Sequence, residues 1–342
     1  MRATIMGAGR MGQAIAWSMD KLGYDISLVD NNADNLFSRQ YDFSKLTLIH
    51  STSDTHAFLI DSDIVISAMP YHQNLPIAQS CISKGIKYCD LGGSVPVSAE
   101  INRLATASAK GVVMTDLGLA PGWVNILAED MVSQNDGARN VSMMVGGLPE
   151  TPKNYLKYNC TWSYDGLINE YKDNCEILVN GMQTVVSGMD GLITVPTALG
   201  QLEAFYTSGG ASHTIGSMQQ RGVDNCSYRT LRYPGHCEAV RFLIRECRLT
   251  DESLKGVFKQ ACPPAKDVVI IRVDVDGNIY EKIINSTSRF SAMQQGTAFP
   301  ISSAADLIAK GGMVGSLGYQ DLDYSLFESN LQKLFHEVKN EH

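Results

Sequence analysis

Five apolar runs punctuate the first third of the chain: ATIM at 3–6, DISLVD at 25–30, DIVISAM at 63–69, KYCDLGG at 87–93 and VVMTDLG at 112–118. Intervals of helical character separate them, the clearest running from Met11 to about Leu22. Strands with so continuous an apolar character are stable only in a sheet covered on both faces, and helical crossings supply that cover when the sheet is parallel. The spacing predicts an α/β domain of the Rossmann type, a doubly wound parallel sheet.

After APGWVNILAEDMV, at 120–132, the rhythm changes. ARNVSMMVGGL, LKYNCTWS, CEILVN, DVVIIRVDVDG and NIYEKIIN read as longer strands joined by loops. Within VDVDGNIY an Asp-Gly pair stands between alternating runs, the signature of a tight hairpin. This middle part is expected to be an inserted α+β domain, mostly antiparallel sheet with a few helices packed on it. TAFPISSAADLIAKGG has helical spacing and a Gly-Gly stop, and is expected to return to the first domain. The expected boundaries are 1–120 for the dinucleotide-binding domain, completed by 298–342, and 121–297 for a substrate-binding and dimerisation domain. A length of 342 residues suits two domains.

MGAGRMGQA places Gly7, Gly9 and Gly12 in G-x-G-x-x-G register between the first strand and the first helix. Gly7 allows the tight turn, Gly9 lets backbone approach a pyrophosphate, and Gly12 lets helix and sheet pack closely. The helix N-terminus, with Arg10 and Met11 between the glycines, offers free N–H groups to phosphate. Asp30 ends the second strand 18 residues after Gly12, where a carboxylate can accept from ribose hydroxyls and repel a 2′-phosphate. Asn31 follows it, and no arginine is adjacent, so NAD is expected in preference to NADP. Ligands of such sheets lie beyond the carboxyl ends of the strands. That edge includes Ala68 and Pro70, Gly92 after CDL, and Gly118 and Pro121 in TDLGLAPG, whose small side chains leave space for a nicotinamide ring.

The net charge of −8 argues against a nucleic-acid partner, which requires a positive face. No apolar run is long enough to span a membrane, and the N-terminus lacks the pattern of a signal peptide, so a cytoplasmic protein is expected. The eight cysteines include no Cys-x-x-Cys pair, which favours reduced thiols and no metal site.

GAGRMGQAIAW, DLGG, TDLGLAPGWVN, VGGLPE, WSYDGLINEY and TLRYPGH occur in the order found in the saccharopine dehydrogenase-like oxidoreductases, and the chain most resembles their lysine 6-dehydrogenase branch. The resemblance extends through GTAFP and the helix after it. It implies an NAD(P)-dependent enzyme that moves hydride between nicotinamide and a nitrogen-bearing carbon of a small amino acid substrate, usually as a homodimer or tetramer. Saccharopine reductases carry an acidic residue in the turn where Ala120 stands, a departure that favours the lysine-like branch. A reductase forming saccharopine or a carboxylated polyamine is the alternative, and a non-catalytic NAD-binding sensor or scaffold is the alternative of another class.

In TLRYPGHCEAV the resemblance assigns Arg232 to a substrate carboxylate, for which a planar guanidinium is suited, with Tyr233 and His236 nearby in sequence. Oxidation of an amine requires a base to remove a proton, and Asp116 and His236 rank ahead of His213 for that role. Trp162 and Ser163, in WSYDGLINEY, are expected at the substrate.

Overall fold

The computed structural model describes residues 1–37, 41–51, 59, 61–108, 110–160 and 162–340. The chain begins with β1 (Arg2–Met6), α1 (Arg10–Lys21), β2 (Asp25–Asp30), α2 (Ala33–Phe37), β3 (Leu46–His50) and β4 (Ile64–Ser67). It continues through α3 (Asn74–Lys84), β5 (Lys87–Asp90), α4 (Val95–Thr106), β6 (Val112–Met114) and α5 (Trp123–Ser133). The middle of the chain forms β7 (Asn140–Pro149), α6 (Tyr164–Lys172), β8 (Asn174–Val179), β9 (Met182–Ser187), β10 (Ile193–Thr197) and β11 (Gly200–Tyr206). These are followed by α7 (Thr214–Gln220), β12 (Asn225–Arg232), α8 (His236–Arg241), α9 (Asp251–Ala261), β13 (Asp267–Val275) and β14 (Asn278–Asn285). The last elements are α10 (Ala292–Lys310), β15 (Gly315–Ser316) and α11 (Tyr324–Asn340).

Two compact units result, Met1–Ile126 with Gln294–His342, and Leu127–Met293. The divisions fall inside α5 and α10, a few residues after the boundary expected at 120/121 and a few before the one expected at 297/298.

In the first unit the strand order is β15-β6-β5-β4-β1-β2-β3, with every neighbouring pair parallel. The order reverses between β1 and β4, the place where loops diverge and leave room for a ligand. Packing on one face joins β1, β4, β5 and β6 to α3 and α4 through Met6, Val65, Ile77, Cys81, Tyr88, Ile101 and Val113. An aromatic series ties in the C-terminal helices. Trp17 stacks on Phe299 at 5.8 Å, Phe299 meets Phe335 at 5.1 Å, and Trp123 meets Phe335 at 5.9 Å. Each such pair contributes about 0.5–1.5 kcal/mol beyond its burial. No described helix is long and apolar enough to cross a membrane.

The second unit is a mixed sheet of order β10-β11-β12-β7-β13-β14, antiparallel except where β12 runs parallel to β7. A β8–β9 ribbon joins β12 at Cys226. The β13–β14 hairpin turns through Asp276 and Gly277, both at positive φ (51° and 87°), as a two-residue turn between twisted strands requires. A core of Tyr158, Leu167, Tyr171, Phe205, Cys237 and Phe258 packs α6, α8 and α9 against the sheet.

One expected strand is absent. In LKYNCTWS, of which Thr161 lies outside the described residues, the described residues form no strand. Asn154 takes the place of a sheet partner: its Nδ2 donates to the Tyr158 carbonyl at 2.6 Å and its Oδ1 accepts from the Tyr158 amide at 3.2 Å. Side-chain satisfaction of this kind competes with a ladder. Leu156, Tyr158 and Cys160 still point inward, which accounts for the strand-like alternation. All eight cysteines are free thiols, and only Cys247 is exposed.

The turn after β6 is packed on itself. Gly118 N donates to the Pro121 carbonyl at 2.7 Å, Trp123 N donates to the Gly118 carbonyl at 3.0 Å, and the Ala120–Pro121 peptide is cis. Gly122 has φ +131°, and a Cβ there would stand 2.2 Å from the Gly118 oxygen. Gly122→Ala is expected to destabilise the protein by about 2–4 kcal/mol in denaturant titrations. Gly137→Ala, at φ +81° with no atom within 4 Å of a new Cβ, should cost only about 1 kcal/mol.

Candidate functional site

Parallel strands bring their carboxyl ends to one edge, so the first unit collects the residues after β1, β2, β4, β5 and β6 there. Gly7, at φ +97°, has no room for a side chain: a Cβ would meet Met69 Sδ at 3.0 Å and the Ala68 oxygen at 3.1 Å. At Gly12 a Cβ would fall 1.7 Å from the Gly7 carbonyl, so this glycine allows α1 to start against the loop. Gly9 differs, since a Cβ there would touch nothing within 4 Å. Its smallness serves no internal packing and leaves the loop open to an approaching group.

Gly9 and Arg10 are exposed and Met11 is half-buried. No side chain caps the N-terminus of α1, and no acid lies in its first turn. This open amide terminus fits a pyrophosphate. Asp30 is 7% exposed. Its Oδ2 accepts from the Ala8 amide at 2.7 Å and from Asn35 Nδ2 at 3.2 Å, and its Oδ1 accepts from the Asn32 amide at 2.8 Å. Asn31 and Pro70 are exposed, and Ala68 is half-buried. Together these residues fit a dinucleotide.

Beneath the ends of β5 and β6 lies a buried carboxyl pair. Asp90 Oδ1 accepts from the Gly92 amide at 2.8 Å and the Asp116 amide at 3.2 Å, while Oδ2 accepts from the Tyr88 hydroxyl at 3.0 Å. Burial and the neighbouring Asp116 push the Asp90 carboxyl up to about 7. Asp116 sits at φ +62° and accepts from the Ser98 hydroxyl at 2.8 Å. A Cβ on Gly92 would lie 2.1 Å from Asp116 Oδ1. Gly92 and Gly118 therefore have structural reasons to be small: one makes room for Asp116, the other is buried in the turn where Pro121 is half-buried.

In the second unit, β12 ends at Arg232, the Pro234-Gly235 turn follows, and α8 begins at His236. Arg232 is 3% exposed. Its Nε donates to Tyr171 Oη at 3.0 Å, and one terminal nitrogen donates to Thr230 Oγ1 at 3.0 Å and the Leu231 carbonyl at 2.9 Å. The guanidinium carbon lies 4.7 Å from the centre of the Tyr158 ring, a cation–π contact. Trp162 Nε1 donates to Tyr158 Oη at 3.2 Å. Among the described residues, the second terminal nitrogen has no acceptor and no carboxylate pairs with the guanidinium.

His236 is fully buried, and both ring nitrogens are engaged. Because a carbonyl can only accept, Nδ1 is the protonated nitrogen and donates to Leu156 O at 2.7 Å. Nε2 then accepts from Tyr171 Oη at 2.9 Å. Burial, reinforced by the Arg232 charge, lowers the imidazole to about 3. His236 is thus a neutral support for Tyr171 and Arg232 with no surface open to a substrate, which corrects the expectation that it serves as a base.

Two further expectations change. Tyr233, the residue after β12, packs against the cluster that includes Met144, Leu148 and Leu231, and donates to the Pro149 carbonyl at 3.0 Å. Ser163 is exposed and caps α6, accepting from the Gly166 amide at 3.1 Å. His213 precedes α7, its Nδ1 3.1 Å from Ser212 Oγ. The Arg232 network includes Tyr158 and Tyr171, which sequence reasoning missed, although Tyr171 ends the WSYDGLINEY motif. Asp90, in CDLGG, was missed as well.

Residues 3–115 match the saccharopine dehydrogenase NADP binding domain, and residues 118–338 match the saccharopine dehydrogenase C-terminal domain. The chain belongs to the saccharopine dehydrogenase family, and its first unit is a nicotinamide-dinucleotide-binding Rossmann domain. It is 24% identical over 254 residues to the mitochondrial alpha-aminoadipic semialdehyde synthase of Rattus norvegicus, covering 71% of this chain and 27% of that protein. With the Mus musculus protein it shares 22% identity over 280 residues, or 77% of this chain and 30% of that one. The chain therefore spans less than a third of the length of these relatives. The apo saccharopine dehydrogenase (L-Glu forming) of Saccharomyces cerevisiae superposes with a TM-score of 0.69 at 15% identity, covering 100% of this chain and 97% of that one. The homospermidine synthase of Legionella pneumophila, in complex with NAD, gives 0.69 at 13% identity over 97% and 89% of the two chains. At these identities the likeness is one of fold.

The raised Asp90 pKa fixes a pH dependence. In the unfolded chain an aspartate ionises near 4, whereas folded Asp90 keeps its proton to about 7. Between those values the folded state binds more protons, so stability falls as pH rises through the window, and the loss is complete above it. Asp90→Asn is expected to melt with wild type near pH 4 and above it at pH 8, by about 2–4 °C for each kcal/mol recovered. Parallel melting curves at the two pH values check this.

Proposed function

We propose that the chain is an NAD-dependent dehydrogenase that oxidises a carbon–nitrogen bond of an amino acid, an oxidative deamination of the lysine 6-dehydrogenase type. The observation that carries this reading is the buried Arg232 guanidinium with no carboxylate of its own among the described residues. A buried charge without a counter-ion is costly, and a bound carboxylate offsets that cost. Tyr171, held by His236, and the Tyr158 ring fix the guanidinium so that its remaining N–H edge meets the ligand in one orientation.

On this reading Gly7, Gly9, Arg10, Met11 and Gly12 cradle the pyrophosphate and Asp30 accepts from the adenosine ribose. Asn31, Ala68, Pro70, Gly92, Gly118 and Pro121 border the rest of the dinucleotide. Bound nicotinamide supplies the acceptor for a hydride. Asp116 takes the proton from the substrate ammonium, since only the free amine can release hydride to form an iminium. Water then adds to the iminium, and ammonia leaves an aldehyde. Trp162 lines the substrate's aliphatic chain. The family likeness supports a homodimer or tetramer.

The test is NADH formation by the purified protein with a panel of lysine, ornithine, saccharopine and related diamines, together with the reverse direction from NADPH and candidate aldehydes. Turnover of an amino acid with NAD is expected, and absence of turnover in both directions overturns the reading. Arg232→Ala should raise KM for the amino acid on the order of 100-fold, and Arg232→Lys should restore only part of it. An unchanged KM removes Arg232 from the substrate. Asp30→Ala should weaken NADH binding about tenfold and narrow the preference over NADPH, as measured by fluorescence titration.

A further inference from the structure

Glu170 lies one residue before Tyr171 near the C-terminal end of α6. It is held in place from both sides. Its own carbonyl accepts from the Ser208 amide at 3.0 Å, and Tyr171 beside it is 2% exposed. Gly188 packs against the following turn, where a Cβ would come within 2.6 Å of the Tyr171 carbonyl. The Glu170 side chain is half-buried and makes no hydrogen bond or ion pair with any described residue. Tyr171, Tyr228, Cys160 and Cys175 share its electrostatic surroundings, and the cation acting on it is Arg232. Burial pushes the carboxyl up to about 7, and Arg232 counters this only in part.

A guanidinium and a carboxylate thus stand within each other's field without joining. Partly buried opposite charges normally pair, because the pair satisfies both desolvated groups. Here Nε and one terminal nitrogen of Arg232 are turned to Tyr171, Thr230 and Leu231, the other terminal nitrogen is left over, and no described residue fills the acceptor sites of Glu170. A ligand that carries a carboxylate and an ammonium on adjacent atoms completes both.

Building on the carboxylate reading of Arg232, we propose that Glu170 binds the α-ammonium of the substrate, so that Arg232 and Glu170 together select the zwitterionic head of an α-amino acid. With the head fixed at both charges, the oxidised carbon–nitrogen bond is at the distal end of the substrate. The α-amine remains protonated and unreactive.

Calorimetric titration of the NADH-bound protein, in which oxidation cannot proceed, tests this with three probes. L-Lysine has the whole head, 6-aminohexanoate lacks the α-ammonium, and pentane-1,5-diamine lacks the carboxylate. Wild type is expected to bind lysine about 10–100-fold more tightly than 6-aminohexanoate, the range for a desolvated charge pair. Glu170→Gln, nearly isosteric and half-exposed, should bring the two within about threefold, its melting temperature confirming the fold. Equal binding of the two by wild type, or an undiminished lysine preference in the variant, overturns the role of Glu170 while leaving Arg232 in place. If the diamine binds as tightly as the two carboxylates, the reading of Arg232 fails, and the selection of a zwitterion fails with it.

Discussion

The second unit is organised around one guanidinium with which no carboxylate among the described residues pairs. Arg232 leans on the Tyr158 ring and donates to Tyr171, which donates to His236, which donates to the Leu156 carbonyl. Every hydrogen in that series has a single possible direction, because the carbonyl at its end can only accept and the guanidinium at its start can only donate. The histidine is thereby confined to one tautomer, and burial keeps it neutral. A charge held by such a relay has little freedom to relax.

The first unit shows how glycines with similar surroundings in sequence answer different demands. Gly12 and Gly122 are forced by backbone within 1.7 and 2.2 Å of a Cβ, and Gly92 by the Asp116 carboxylate at 2.1 Å. Gly9 is forced by nothing inside the chain. At Gly9 the absence of a side chain has no internal cause among the described residues, and it suits the dinucleotide that this unit binds.

Much of the parallel sheet was legible because its central strands are buried on both faces and so read as unbroken apolar runs. β3, at the edge of the sheet, has no buried residue and left no such run. In the second unit β9 is mostly exposed and β10 buries only Val195, so neither carries the period-2 pattern that marks a half-buried strand. The glycine register and Asp30 were legible because a dinucleotide site is local in sequence. The Arg232 network was not, since Tyr158, Tyr171 and His236 meet only after the chain has folded, and a histidine shows no trace in sequence of whether it will be buried. Tyr233 was misplaced because closeness to Arg232 in sequence does not put the two side chains in one place: Tyr233 packs into the apolar cluster beside Leu231.

Asp30 binds more than a cofactor would require of it. Its carboxylate ties the amide of Ala8, in the glycine loop, to that of Asn32, past the end of β2. The residue that would discriminate between the two nicotinamide dinucleotides also serves as a clasp for the loop that receives them. Evolution or engineering that exchanged this carboxylate for a phosphate-binding side chain would have to find new acceptors for two backbone amides at the same time, so a change of cofactor in this chain entails rebuilding the loop.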